Sequence, residues 1–189
     1  MTDKLRGRLL VASPSLEDAN FARAVILMLA HSDEGALGVV LNRPTAADVD
    51  EILPRWRDLA APPERVFRGG PVGVSSAICL ASPRPGREAD VASADGVDHT
   101  VAGLVSVDLE RDPSVVASAI DGLRVFSGYA GWGAGQLEGE LAVGGWIVVD
   151  PLPGELLTRD PDTLWERVLR RLGGLRAAYA NAPPELSLN

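Results

Sequence analysis

The sequence has little of several residue types, and each shortage excludes a class of protein. A single cysteine among 189 residues rules out an intrachain disulfide, which is typical of proteins in a reducing cytosol. Two histidines and that one cysteine are too few for a His/Cys zinc site, so the sequence predicts no metal and no cofactor. The 18 lysines and arginines are scattered among 26 acidic residues, and the net charge of −8 predicts no direct nucleic-acid binding.

Long apolar runs are also missing. No segment approaches the roughly 20 residues of a membrane span. The apolar run in the opening stretch MTDKLRGRLLVASP is shorter than the roughly 7–15 residues of a signal-peptide core. We therefore expect a cytoplasmic protein with no membrane partner. Its 189 residues are expected to form one compact domain over residues 1–189, or two intimately packed lobes with no readable boundary.

What the sequence does contain is an irregular alternation of strand and helix patterns. The apolar runs Ala24–Ser32 and Gly35–Asn42 flank Asp33 and Glu34, which indicates an N-terminal β-hairpin. Their near-continuous hydrophobicity is typical of strands covered on both faces. The whole pattern predicts an α/β (α+β) fold in which helices pack on a mixed sheet. Further strands are expected near residues 6–13, 65–68, 76–82, 99–109, 123–128 and 145–150.

Several local expectations are specific enough for a structure to test. A helix is predicted after Pro44, because Val49, Ile52 and Trp56 recur at helical spacing. Residues 83–98 are predicted to be a loop or irregular hairpin, and residues 99–109 a single strand. Three later helices are expected, near residues 112–120, near residues 135–143 and from Asp160 onward.

The stretch Val125–Glu140, VFSGYAGWGAGQLEGE, resembles a phosphate-binding turn between a strand and a helix. A dinucleotide fingerprint needs G-x-G-x-x-G, and here Gly131 and Gly133 are followed by Gln136 in the third position. The fingerprint is therefore not matched. The glycines either permit positive φ and close strand–helix packing, or backbone N–H groups at the helix start hold some other anion.

Other segments offer single chemical groups rather than a catalytic constellation. In FRGGPVG, Arg68 beside Gly69–Gly70 forms either a small anion-binding nest or a plain tight turn. GVSSA matches the nucleophile-elbow motif G-x-S-x-G around Ser75 except at its last residue, where Ala77 replaces glycine. The residues after it predict a strand instead of the required helix. His31, at the hairpin end, could act as acid or base near neutral pH, or bond the turn.

Four stretches in this order resemble the AlgH/YqgE family of small bacterial proteins. They are LLVASPSLEDANFARAVILMLAHSDEGALGVVLNRP, FRGGPV, GYAGWGAGQLEGEL and GGWIVVD, and the resemblance runs from about Leu9 to Trp165. It implies a strongly bent mixed sheet with helices outside, and no known reaction. Some members are labelled putative transcriptional regulators, yet this sequence contains no helix-turn-helix pattern. Many relatives also carry a histidine where this chain has Ala81.

The sequence thus favours a non-catalytic binding or regulatory protein whose partner is a small anion or another protein. It does not decide whether the chain forms a homo-oligomer. Three turns each follow a predicted strand and are expected to cluster as one concave site, namely Asn42–Pro44, Arg68–Pro71 and Tyr129–Gln136. Arg43 and Arg68 would contact the anion, and Tyr129 and Trp132 would form apolar walls. The alternative is a hydrolytic or phosphate-handling enzyme that uses His31 or Ser75. The candidate ligand-binding residues are Asn42, Arg43, Arg68, Gly69, Gly70, Tyr129, Trp132, Gly133 and Gln136.

Overall fold

The computed structural model describes residues 4–181, apart from the side chains of His99 and Thr100. Ten strands join into one strongly curled half-barrel sheet in the order β10-β1-β2-β3-β9-β6-β8-β7, and β4 joins it through β5. All neighbouring strands are antiparallel except β5 and β9. The strands are β1 (Leu9–Ala12), β2 (Val25–Ser32), β3 (Gly35–Val40), β4 (Pro44–Asp48), β5 (Arg65–Arg68), β6 (Val72–Pro83), β7 (Val97–Val101), β8 (Leu104–Val107), β9 (Ile120–Gly133) and β10 (Trp146–Val149).

The helices are short and pack around this sheet. A 3-10 helix covers Pro54–Leu59. Within the described part of the chain, no helix is long and apolar enough to cross a membrane. The α-helices are α1 (Val49–Ile52), α2 (Glu88–Ala92), α3 (Ser114–Ala117), α4 (Gln136–Ala142), α5 (Pro153–Leu156), α6 (Leu164–Leu172) and α7 (Gly174–Tyr179).

The predicted N-terminal hairpin is confirmed, and both of its faces are covered. Strands β2 and β3 pair antiparallel from Ile26 opposite Val40 to Ser32 opposite Gly35. One face joins the main core, where α6 contributes Trp165. The other face packs on α4 through Leu137. Burial on both sides explains why the two strands are apolar at nearly every position.

The half of the sheet built from β6, β7 and β8 has a core of its own. This second core contains Val91 of α2 and Val116 of α3, together with Trp56 of the 3-10 helix. The Trp56 indole also donates a hydrogen bond to the Leu109 carbonyl, at 3.1 Å. A buried indole needs such an acceptor, so this bond fixes the 3-10 helix on the segment before α3.

Several local predictions were wrong, each for a physical reason. After Pro44 the chain forms β4 before the short α1, and Pro54 ends α1 because proline lacks the N–H that a continuing helix needs. Ile52 is 60% exposed although the helical spacing assigned it to the core. The segment after Pro83 contains α2. The expected single strand over 99–109 is a hairpin of β7 and β8 that turns at Gly103, where φ is +82°.

The glycine-rich stretch after Ser127 is also strand rather than loop. Strand β9 continues to Gly133, pairing Gly131 with Leu37 and Trp132 with Ala36 of β3. Gly131 and Gly133, whose spacing matches only part of a dinucleotide fingerprint, therefore lie in a ladder with β3.

Candidate functional site

The predicted Arg68–Pro71 turn meets the start of the predicted Tyr129–Gln136 turn. We call this place the glycine junction, and it consists of Gly69, Gly70, Gly128 and Tyr129. A Cβ atom on Gly69 would overlap the carbonyl oxygen of Gly128, and one on Gly70 would overlap the backbone carbonyl of Tyr129. Gly128 itself has φ of +68°, a conformation that glycine adopts without strain. The junction is closed by backbone hydrogen bonds from Gly69 N to Ser127 O and from Val40 N to Gly69 O, at 2.8 and 2.9 Å.

Beside this junction lies a small cleft, which we call the Arg43–Arg68 cleft. Its volume is about 40 Å³. The Arg43 guanidinium is held in place because its Nη2 donates to the Ala22 carbonyl at 2.6 Å. The backbones are also fixed, since Arg68 N donates to the Arg43 carbonyl at 2.8 Å. The lining residues are Ala19, Asn20, Val40, Arg43, Arg68, Gly70 and Pro71.

The electrostatics of the cleft are unusual for a chain of net charge −8. Burial and, secondly, the neighbouring Arg68 cation lower the pKa of the Arg43 guanidinium from its ordinary value. Within residues 4–181, neither guanidinium forms a salt bridge, whereas many other arginines of the chain do. Two adjacent cations without a carboxylate repel each other, and a bound anion would relieve that repulsion.

Asn42 has a supporting position and does not line the cleft. Its Oδ1 accepts from Val25 N at 2.9 Å, and its Nδ2 donates to the Arg23 carbonyl at 2.9 Å. Arg23 has φ of +58°, which is uncommon for a residue other than glycine. The Asn42 amide therefore stabilises the turn whose neighbouring carbonyl, that of Ala22, anchors Arg43.

Tyr129 belongs to the junction, and its ring lies against the glycines beside it. A Cβ on Gly73 would come within 3.1 Å of the ring, and one on Gly131 within 3.3 Å. The ring also packs against the main core. Tyr129 does not line the Arg43–Arg68 cleft, so its role there is to pack against the backbone that shapes the cleft.

The remaining predicted residues, Trp132, Gly133 and Gln136, lie at the C-terminal end of β9 and the start of α4. Together with Glu140 and Trp146 they form the cluster that we call the aromatic end. Trp132 is 5% exposed and packs against Phe21 and Trp146, at ring-centroid distances of 6.2 and 6.0 Å. Gln136 accepts from Gly133 N at 3.1 Å. The structure thus divides the predicted single site in two, and Trp132 is a core residue rather than an exposed wall.

Neither residue of the enzymatic alternative lines the Arg43–Arg68 cleft. His31 is at the hairpin end, where its Nε2 lies 2.8 Å from Glu138 Oε1. Ser75 is in an exposed part of β6, within the bulge between Val72 and Ala77. Among the described residues no group of three or more His, Cys, Asp or Glu could hold a metal ion.

Sequence reasoning missed the first segment that forms the cleft. Ala19 and Asn20 line it from a turn more than twenty residues before Arg43. In that turn Asn20 N donates to Asp18 Oδ1 at 2.8 Å, and Phe21 N to the Asp18 carbonyl at 2.9 Å. The Asp-Ala-Asn sequence favours such an Asx turn, but nothing in it indicates which distant strand end the turn approaches.

Comparison with known proteins gives the same fold. The chain is 50% identical to a UPF0301 protein of Streptomyces avermitilis, with 98% of this chain and 95% of that protein covered. It is 45% identical to the UPF0301 protein Rv0038 of Mycobacterium tuberculosis, with 97% and 90% covered. The crystal structure of protein DIP2367 from Corynebacterium diphtheriae matches with a TM-score of 0.87 at 31% identity, covering 96% of this chain and 94% of that one.

A solution structure of the AlgH protein from Pseudomonas aeruginosa matches with a TM-score of 0.67 at 27% identity, covering 97% of this chain and 98% of that one. The model of the family described as AlgH-like (DUF179) matches residues 9–177. This range includes both the glycine junction and the aromatic end, and it confirms the resemblance found in the sequence. The chain belongs to the AlgH-like family.

Proposed function

We propose that this protein is a non-catalytic binding or regulatory protein that recognises an anionic group in the Arg43–Arg68 cleft. The observation that carries the proposal is the pair of adjacent guanidinium groups without a salt-bridge partner among residues 4–181. His31 and Ser75 lie outside this cleft, so the proposal includes no catalytic step. A cytoplasmic location remains part of it, supported by the single, buried cysteine.

The dimensions of the cleft limit what it can hold. A volume of about 40 Å³ admits one phosphate, sulfate or carboxylate group, not a whole nucleotide. Arg43 is oriented by the Ala22 carbonyl, which leaves less rotamer entropy to lose on binding. Arginine also binds planar and tetrahedral oxyanions through paired N–H donors. The rest of the ligand, whether small molecule or protein, would lie outside the cleft.

The test is a calorimetric and thermal-shift titration with phosphate, sulfate, citrate and glucose 6-phosphate at constant ionic strength. Sodium chloride serves as the reference for screening. A ligand at about 100 times its dissociation constant stabilises the fold by roughly 2.7 kcal/mol, which raises Tm by a few degrees. We expect at least one of these anions to bind, and Arg68→Ala to weaken it about tenfold or more because a charge-assisted hydrogen bond is lost.

The matched control is Arg57→Ala, which also removes an exposed arginine but at a distance from the cleft. Arg57 is paired with Asp50 and Asp58, and its loss should leave the affinity unchanged. Equal affinities of Arg68→Ala and wild type would contradict the proposal. So would anion binding that Arg57→Ala weakens as much as Arg68→Ala does, because that result would indicate only general charge attraction.

A further inference from the structure

A second cavity lies between the β2–β3 hairpin and β6, and it shares no lining residue with the Arg43–Arg68 cleft. Its volume is about 490 Å³, within the range of roughly 300–1,000 Å³ that is typical of small-molecule sites. The hairpin contributes Leu29 and Leu37, and β6 contributes Ile78 and Leu80 from the opposite half of the sheet. The cavity therefore lies between the two halves of the sheet, with aliphatic walls on both sides.

The segment before β1 lies beside this cavity and contacts two separate parts of the sheet. Gly7 N donates to the Met28 carbonyl at 2.8 Å, which attaches the segment to β2. A Cβ on Gly7 would lie 3.7 Å from Ala102 N, so the same residue also reaches the β7–β8 turn. The segment thus connects β2 to the β7–β8 hairpin, whose Val101 also lines the cavity. Curled sheets whose interior is not filled by side chains commonly hold one small ligand.

The lining is chemically asymmetric. Leu80 and Val101, at 2% and 5% exposure, belong to the main core and form the apolar floor. Arg6 stands at the exposed rim, where its Nε donates to the Leu29 carbonyl at 3.1 Å. Among the described residues that line the cavity, Arg6 is the only one with a charged side chain. The lining therefore combines a cation at the rim with a hydrocarbon floor.

We propose that this cavity binds a small amphiphile with an aliphatic tail and a carboxylate head. The tail packs on Leu80 and Val101, between Leu37 and Ile78, and the carboxylate lies next to Arg6 at the mouth. Binding removes apolar surface from water on both the cavity and the tail, which provides the affinity. The charge at the rim selects the orientation and disfavours a cationic head.

The chain-length dependence of binding provides the first test. Straight-chain carboxylates from hexanoate to dodecanoate are titrated calorimetrically into the full chain, below their micelle concentrations. Each methylene that enters the cavity should lower Kd about fourfold, until the cavity is full and the gain stops. The stoichiometry should be one per chain. A wild-type protein that gives no saturable binding with any member of the series overturns the proposal.

Two variants locate the binding. Ala30→Phe places a ring at the exposed mouth without changing a core residue, and we expect it to abolish decanoate binding. Its matched control is Ala46→Phe, at an exposed alanine of β4 outside the cavity.

Arg6→Gln should weaken the binding of decanoate severalfold and leave the binding of 1-decanol unaffected, whereas Arg87→Gln should change neither affinity. Arg68→Ala should also leave decanoate binding intact, which separates this site from the Arg43–Arg68 cleft.

A direct readout keeps the test decisive if Ala30→Phe does not fold. In methyl NMR spectra of the wild-type chain, decanoate should shift the resonances of Leu29, Leu37, Ile78 and Val101 while leaving those of Val116 in the second core unchanged. Shifts spread over the whole surface would overturn the proposal. So would a concentration-dependent dimer that buries the same methyl groups in the absence of decanoate, because the cavity would then be covered by a second copy of the chain.

Discussion

Glycines are concentrated at the glycine junction and around the aromatic end, but the surroundings of these two groups of glycines differ. At the glycine junction, a Cβ on Gly69 or Gly70 would overlap the backbone of β9. At the aromatic end, Gly133, Gly135 and Gly139 have no heavy atom within 4 Å of the place where a Cβ would stand. The first set permits two backbones to touch, while the second set lies in open space.

The difference shows where the glycine-rich sequence is structurally required. At the junction, close backbone contact brings the end of β5 to the end of β3, and so places Arg68 beside Arg43. At the aromatic end, side chains do the equivalent work, because Glu140 joins Trp132 and Trp146. One region is held by close backbone contact at glycines, and the other by a half-buried carboxylate that accepts from two indoles.

The largest expected effect is that of Gly70→Ala. The new methyl group would overlap the Tyr129 carbonyl, which is backbone within a paired strand and cannot move without breaking the sheet. We expect the free energy of unfolding to fall by about 3 kcal/mol or more, and Tm by about 6–12 °C. Urea denaturation and thermal melting measure both quantities. A Gly70→Ala protein within about 0.5 kcal/mol of wild type would contradict this account of the junction.

The second effect is in the aromatic end, where Glu140→Leu removes a shared acceptor. Glu140 Oε2 accepts from the indoles of Trp132 and Trp146 at 3.0 and 2.7 Å. Two buried N–H donors would lose their partner, which costs about 2–4 kcal/mol in total. Glu140→Gln keeps an acceptor oxygen and should cost less than half as much. Denaturation monitored by tryptophan fluorescence compares the variants, and equal losses for Leu and Gln would refute the hydrogen-bond explanation.

Much of the strand pattern could be predicted because strands that are buried on both faces are apolar at nearly every position. The hairpin of β2 and β3, strand β5 and helix α6 were all predicted, since each has a periodic or continuous apolar pattern. Strand β9 was predicted only as far as Gly128. Beyond that residue the glycines pair with β3, and a glycine contributes no side chain from which the period could be read.

The candidate site was harder to predict because it depends on contacts between distant segments. The sequence indicated Arg43 and Arg68, since each stands beside a turn signal, and the structure brings them together. It did not indicate that Trp132 is buried, because one tryptophan among glycines fits a wall as well as a core. Nor could it reveal Arg124, a residue that is 1% exposed and whose guanidinium donates to the carbonyls of Thr158, Ala61 and Pro62. These three acceptors are backbone atoms and leave no sequence pattern.

A smaller effect, dependent on pH, concerns Glu138 in α4. Its own backbone N–H and then the His31 side chain lower the pKa of this carboxyl below its ordinary value of 4.5. A lowered pKa in the folded state means that the ionised form stabilises the fold above pH 4.5, and that this contribution is lost as the pH falls through the folded-state pKa. Wild type should therefore lose stability more steeply than Glu138→Gln below pH 4.5.

Thermal melts between pH 3 and 7 measure that difference. Asp33→Asn, at the exposed tip of the same hairpin, serves as a control for removal of one surface carboxylate. The gap in Tm between wild type and Glu138→Gln should narrow as the pH falls. A constant gap across the whole range would contradict a lowered pKa of the Glu138 carboxyl in the folded state.

The smallest effect, and the one opposite in sign to Gly70→Ala, is expected for Gly133→Ala. Gly133 ends β9 with φ outside the left-handed region, and no heavy atom lies within 4 Å of its would-be Cβ. Alanine restricts the unfolded chain without straining the folded one, so the free energy of unfolding should rise by about 0.4–1 kcal/mol. Gly135→Ala, at a position where φ is +73°, has the same open surroundings but should destabilise instead. If Gly133→Ala and Gly135→Ala lose stability equally, open space around Gly133 does not suffice to permit the substitution. The contrast drawn between the glycine junction and the aromatic end would then be wrong.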